Sequence, residues 1–220
     1  MSSTTETAND PKAHELLKTA HDRAWRFPQT FKGLTADITV ETLGQDAIHG
    51  KLEITSPRDI SLDLDAPDDL KQWATQQAAS MIGHRWARPY EEGDGKYEMV
   101  LEADGDPRGP LLRQLNDPFT SSYRVKDDSI TVVNRTMGTT SFSISMQEHI
   151  EVSDGRTLPR AFTGSYRNTE TGKLDKVEIF QDVYGMLDGV DIPVSRRVSI
   201  DDGTGVVARM FTLSNINLHK

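Results

Sequence analysis

The sequence predicts an α+β protein: an antiparallel curved sheet, a half-barrel or barrel of roughly ten strands, with two helices against its concave face. Three observations carry that expectation. Apolar and polar residues alternate in run after run between Leu34 and Leu218, most cleanly in Ser141-Phe142-Ser143-Ile144-Ser145-Met146. Successive strand side chains point to opposite faces, so Phe142, Ile144 and Met146 share one face and the serines the other. Turn signals such as Asp154-Gly155, Asp188-Gly189 and Asp202-Gly203 separate the runs, as hairpins require. Two stretches break the alternation and instead repeat apolar residues at helical spacing.

The elements follow in chain order. Residues 1–10 are polar and are expected to be a disordered tail, leaving 11–220 as a single half-barrel domain. Asp10-Pro11 suits a helix start, with Asp10 as N-cap and Pro11 in the first turn. Leu16, Leu17, Ala20 and Ala24 form the apolar stripe, and Phe27-Pro28 ends the helix near Arg26. A three-stranded meander follows: Leu34–Leu43, Ile48–Thr55, and a strand carrying Ile60, Leu62 and Leu64. The second helix begins after Asp65. Pro67, Asp68 and Asp69 suit its positive end, and Leu70, Trp73, Ala74, Ala78 and Met81 lie along one side. Helical structure is expected to persist through His84-Arg85-Trp86 until Pro89. Tyr97, Met99 and Leu101 mark another strand, and Leu111–Leu115 reads as a short helical turn. From Ser122 onward the chain reads as about seven strands joined by hairpins.

Composition narrows the function. The chain has 220 residues with 25 Lys+Arg against 34 Asp+Glu, a formal charge of −9. An acidic protein repels phosphate backbones, so no nucleic-acid partner is expected. With 0 cysteines, disulfide and thiolate chemistry are excluded. No apolar run approaches the ~18 residues of a membrane span. The amino terminus lacks a basic segment followed by an apolar one, so the expected location is cytoplasmic.

Motifs for chemistry are sparse. None of the six histidines lies in a His-x3-His or His-Glu-x-x-His arrangement. Gly-x-Ser-x-Gly and the phosphate loop are absent. Gly93-Asp94-Gly95-Lys96 leads into a strand and reads as a turn. The acids around Asp63 and Asp65 fall on a polar strand face and a helix start. No metal and no cofactor are expected. The segment His84-Arg85-Trp86 is the most suggestive, because it sets polar donors beside an aromatic ring. Arg124, Arg135, Arg196 and Arg197 lie on strands. There an inward guanidinium meets a carboxylate or phosphate bidentately. Alternation puts Arg196 and Arg197 on opposite faces.

Ala24-Trp25-Arg26-Phe27-Pro28, Phe31 to Ile38, His49-Gly50-Lys51-Leu52, His84-Arg85, Tyr123-Arg124-Val125 and the turn from Asn168 to Gly172 are short motifs that together resemble a domain-of-unknown-function family common in cyanobacteria. That resemblance implies no catalytic residues. The order of a starting helix, then Gly50-Lys51-Leu52-Glu53-Ile54, then strands ending in Leu213-Ser-Asn-Ile-Asn217, is similar to the lipoprotein-carrier (LolA-like) half-barrel. Proteins of that fold hold acyl chains in the hollow of the sheet.

The function expected is therefore non-enzymatic binding or carriage of an apolar or amphiphilic small molecule in the concave face. Phe142, Ile144 and Met146 would line the cavity, with His84, Arg85, Trp86 and Tyr123 around the polar end. One alternative is an enzyme or biosynthetic accessory protein using His84, Asp63 or Tyr123 as acid-base groups. A second is an interaction protein whose helices fill the hollow. Which protein would partner it is unknown from sequence.

Overall fold

A computed structural model describes residues 9–219. Of the tail expected to be disordered, residues 1–8 lie outside the described residues. Among the described residues are two α-helices, α1 (Pro11–Arg23) and α2 (Asp68–Ala78). The same residues form twelve strands: β1 (Leu34–Thr42), β2 (Ile48–Ser56), β3 (Asp59–Leu64), β4 (Met99–Glu102), β5 (Leu111–Gln114) and β6 (Ser122–Lys126) in the first half, then β7 (Ser129–Met137), β8 (Thr140–Glu151), β9 (Thr157–Asn168), β10 (Leu174–Leu187), β11 (Val190–Asp201) and β12 (Val206–Leu218). They hydrogen-bond in the order β3-β2-β1-β12-β11-β10-β9-β8-β7-β6-β5-β4, so β3 and β4 are the edge strands. The α+β class stands, but twelve strands replace the roughly ten expected. The strand missed is β5. Its four residues pair with both β4 and β6, yet Leu111-Leu112 side by side shows no alternation to read.

The chain forms two compact units. The first contains residues up to Ala24, then Arg88–Leu158 and Phe162–Val177. Asp10 caps α1 by accepting the Lys12 N–H at 2.8 Å, satisfying one donor that a helix start leaves open. The Asp10 N–H donates to the Met99 carbonyl at 2.7 Å. The Asn9 side-chain oxygen accepts the Met99 N–H at 2.8 Å. Edge strand β4 is thus tied to the start of α1. The helix buries Ala13, Leu17 and Ala20 against Tyr90, Met99, Leu112, Tyr123 and Val125. Burying a leucine such as Leu17 contributes on the order of 1.5–3 kcal/mol. The helix ends at Arg23, a turn earlier than the Phe27-Pro28 stop signal, because Ala24 is already extended and bridges Thr157.

The second unit contains Trp25–Ala87, Pro159–Ala161 and Glu178–Lys220. Here β1 is sandwiched between β2 and β12, with Ile38 opposite Gly50 on one side and Leu213 on the other. Its apolar face carries buried Leu34, Ala36, Ile38 and Val40, continued by Leu52, Ile54 and Leu64. Helix α2 contributes Leu70, Trp73, Ala74 and Ala78 to the core, and a single π turn at Ala79–Gly83 adds Met81 and Ile82. Trp73 meets Phe211 edge-on at 6.5 Å. A second aromatic group stacks Phe27 on Phe31 at 3.8 Å, with Trp25 and Trp86 flanking them.

Candidate functional site

In the first unit, α1 packs over β4, β6 and β7, and the same sheet face continues onto β8 and β9. Cross-strand pairing fixes which residues share it. Tyr123 stands opposite Val133, Val133 opposite Ile144, and Arg135 opposite Phe142. Phe142 lies 6.0 Å from the ring of Tyr166 on β9. Gly164, also on β9, lies under the side chains of Ile144 and Tyr166. A Cβ there would stand 3.2 Å from Ile144 Cδ1 and 3.1 Å from the Tyr166 ring. The glycine therefore leaves room that its neighbours' side chains use. Phe142, Ile144, Met146 and Tyr166 remain half-buried, while Leu112, Tyr123 and Val125, which pack with α1, are buried. This is an apolar stripe only partly covered.

The opposite face bears the polar partners that the serine alternation implied. Ser143 Oγ donates to Asn134 Oδ1 at 2.6 Å, and Asn134 Nδ2 donates to Ser122 Oγ at 3.1 Å. This ladder spans β6, β7 and β8.

A polar cluster borders the apolar stripe. The Tyr123 hydroxyl donates to Asp94 Oδ1 at 2.8 Å and accepts from Arg135 Nη2 at 2.9 Å. Arg135 Nη2 is 3.7 Å from the same carboxylate oxygen. Gln114 Nε2 donates to the Asp94 carbonyl at 3.1 Å. Burial, and then the Asp94 charge, push the Tyr123 phenol well above its ordinary value, against the smaller opposing pull of Arg135. Tyr123 is accordingly a neutral donor near pH 7 and not a base. The Arg135 guanidinium loses some stabilisation to burial, but Tyr123, Asp94 and Asp117 more than restore its charge.

The other expected site residues lie in the second unit. His84 is solvent-exposed in the turn that follows the π turn. Trp86 packs on Phe31. Arg85 is buried, in a role the sequence did not suggest. Its Nη1 donates to the Met81 carbonyl, and its Nη2 donates to the Tyr184 hydroxyl and lies 3.3 Å from Asp182 Oδ2. Asp182 in turn is held bidentately by Arg196, Nε to Oδ1 and Nη2 to Oδ2, both at 2.7 Å. Arg196 also reaches Ser80 Oγ at 3.1 Å and Gln77 Oε1 at 3.3 Å, which locks α2 and the π turn onto β11. The Tyr184 hydroxyl donates to the Pro159 carbonyl at 2.6 Å, and burial raises its phenol far above the usual range. Of the neighbouring arginines, Arg196 is buried and Arg197 exposed, as alternation required. In this unit the apolar sheet face is covered: α2 and the π turn fill it.

A depression of about 500 Å3 in the second unit lies on the polar side of β1, β2, β3 and β12, lined among others by Asp37, Lys51, Glu53, Asp63, Asn215 and Asn217. A bulge shapes it. Asn215 takes a φ of 49° and donates to Asp37 Oδ2 at 2.7 Å where the β1–β12 register shifts. Among the described residues, no group of three or more His, Cys, Asp and Glu is placed to hold a metal.

Sequence reasoning placed Phe142, Ile144 and Met146 on one face but passed over their partners on β9. The signal was present in Phe162-Thr-Gly164-Ser-Tyr166, where every second position is aromatic or glycine. Arg124, by contrast, serves structure: it grips Asp104 at 2.6 Å and 3.0 Å and the Gly109 carbonyl at 2.8 Å.

The family model described as "Protein of unknown function (DUF3386)" matches residues 8–219, and the chain belongs to that family. No curated protein is significantly similar to it. Three solved structures are similar over nearly the full length. A LolA superfamily protein from Nitrosomonas europaea is 14% identical with a TM-score of 0.40, covering 94% of this chain and 94% of that one. A putative outer membrane lipoprotein-sorting protein domain from Vibrio parahaemolyticus is 10% identical with a TM-score of 0.41, covering 95% and 93%. A DUF1329 family protein from Desulfovibrio piger is 10% identical with a TM-score of 0.33, covering 96% and 94%. At these identities and scores the likenesses carry no functional weight.

Proposed function

We propose that this member of the family binds an apolar or amphiphilic small molecule, without transforming it, on the α1-side face of β7, β8 and β9. One observation carries the reading. The sheet face that α1 buries over β4, β6 and β7 runs on into Phe142, Ile144, Met146 and Tyr166, which are only half-buried. Apolar side chains gathered beside a small polar cluster are the usual composition of a small-molecule site. Covering such a stripe removes apolar area from water at about 25 cal/mol per Å². Acid-base catalysis is less well supported. Tyr123 is held protonated by its burial, and the other two candidates, His84 and Asp63, are solvent-exposed residues of the other unit.

The test is titration of the full chain with N-phenyl-1-naphthylamine, a neutral probe that fluoresces in apolar surroundings. Saturable enhancement is expected for the native sequence. Ile144→Gln, which puts an amide on the stripe, should weaken it at least tenfold. Ser143→Ala, on the opposite face, should leave it unchanged. No saturable enhancement, or equal affinity in Ile144→Gln, would overturn the proposal.

A further inference from the structure

We infer that the guest is a single-chain amphiphile with an anionic carboxylate head, and that Arg135 anchors that head at the end of the apolar stripe. The inference rests on the binding reading above and names its chemical class. Arg135 is the cation that the register sets directly opposite Phe142, on the face shared with Ile144 and Val133. Its side chain is one-third exposed, so its outer edge is accessible. Guanidinium carries five N–H donors, and the described residues use few of them. Nη2 donates to the Tyr123 hydroxyl at 2.9 Å. Nε is buried and has no partner. Nη1 makes no hydrogen bond among the described residues. Nη1, at the accessible end of the guanidinium, is left for a guest, and a carboxylate is the acceptor that pairs with a guanidinium most strongly.

Two carboxylates already face Arg135, and neither takes those donors. Asp94 stands 3.7 Å away and accepts instead from Tyr123 at 2.8 Å. Asp117 acts on it through space while accepting from the Phe119 N–H at 3.0 Å and the Ser121 N–H and hydroxyl at 2.9 Å and 2.8 Å. These acids hold the guanidinium in place and charged. They also disfavour a doubly charged phosphate, which would meet both carboxylates, relative to a singly charged head. The tail has a fixed direction. From Phe142 through Ile144 to Met146 the strand advances about 13 Å, the span of a medium-length alkyl chain.

The test compares laurate with 1-dodecanol, of equal chain length, by isothermal titration of the full chain, and repeats both with Arg135→Gln and Arg135→Lys. Laurate is expected to bind about tenfold more tightly than dodecanol to the native sequence. Arg135→Gln should abolish that preference, and Arg135→Lys should restore part of it. Equal binding of acid and alcohol to the native protein overturns the inference but leaves the binding reading standing. An unchanged preference in Arg135→Gln also overturns it. If neither ligand binds the native sequence, the binding reading fails and takes the inference with it. Because the first comparison needs no variant, a folding defect in either substitution does not rescue the inference.

Discussion

Asp182→Asn should destabilise the second unit by about 3 kcal/mol. The aspartate has an exposure of 0% and faces Arg196 at 1% and Arg85 at 6%, so two guanidiniums meet this carboxylate out of water's reach. Two unit charges about 4 Å apart interact by about 4 kcal/mol at an effective dielectric of about 20. Removing one member of a buried pair costs about 3–5 kcal/mol, because the remaining charge stays buried. Asparagine is nearly isosteric, so no cavity term adds to this. Its carbonyl still accepts one of the two 2.7 Å bonds from Arg196, which brings the expectation to the lower end. The readout is built in. All three tryptophans, Trp25, Trp73 and Trp86, belong to the second unit, so urea unfolding followed by tryptophan emission reports that unit. Asp22→Asn, which breaks the exposed helix pair with Lys18, serves as control and should barely move the transition. A loss below about 1 kcal/mol for Asp182→Asn would refute the argument that this cluster is electrostatically bound together.

Two further outcomes are expected. Leu17→Ala, at the centre of the α1 contact in the first unit, should cost that unit about 2–5 kcal/mol; amide exchange on β6 and β7 should then speed up while the tryptophan-reported transition holds. The Asp104 carboxyl is depressed to about 2, first by its hydrogen bonds from Arg124 and then by a backbone bond from Asp106. A lowered folded value means that its contribution is present above the ordinary value of 3.8 and is lost as pH falls through about 2. Carboxyl-carbon NMR titration should show a midpoint near 2 that rises toward the ordinary value in Arg124→Gln; an unchanged midpoint would show that the guanidinium is not the cause.

Much of the fold was legible because strand alternation and turn chemistry are local. The boundaries of β1 and β2 follow from Ala36-Ile38-Val40 and Leu52-Ile54. The Asp127-Asp128 and Asp188-Gly189 turns have positive φ at both positions, as tight hairpins demand. β5 was illegible because four residues held on both sides by partners need no periodic pattern of their own. The burial of Arg85 is illegible for a related reason. A cationic side chain at the end of an amphipathic helix reads as a solvated or ligand-facing group, and the carboxylate that buries it, Asp182, is 97 residues away. The Phe142-Ile144-Met146 face was readable, whereas Arg135 gains its place beside it only through the β7–β8 register.

The pairing of β1 with β12 sets the order in which the second unit can be completed. Leu34 lies opposite Leu218 and Val40 opposite Phe211, so a strand near the start of the chain forms half its ladder with one near the end. During synthesis the β1–β3 meander emerges long before its partner. Until β12 arrives, one edge of β1 offers unpaired backbone groups and the apolar row Ala36-Ile38-Val40, the kind of edge that recruits other chains. The residues between them, Asp37, Thr39 and Glu41, are polar or acidic on the opposite face and act as gatekeepers during that wait. So distant a closure also predicts slow folding. Recovery of native protein after dilution from denaturant should fall as protein concentration rises, because the unfinished edge has time to find a neighbour instead of its own last strand.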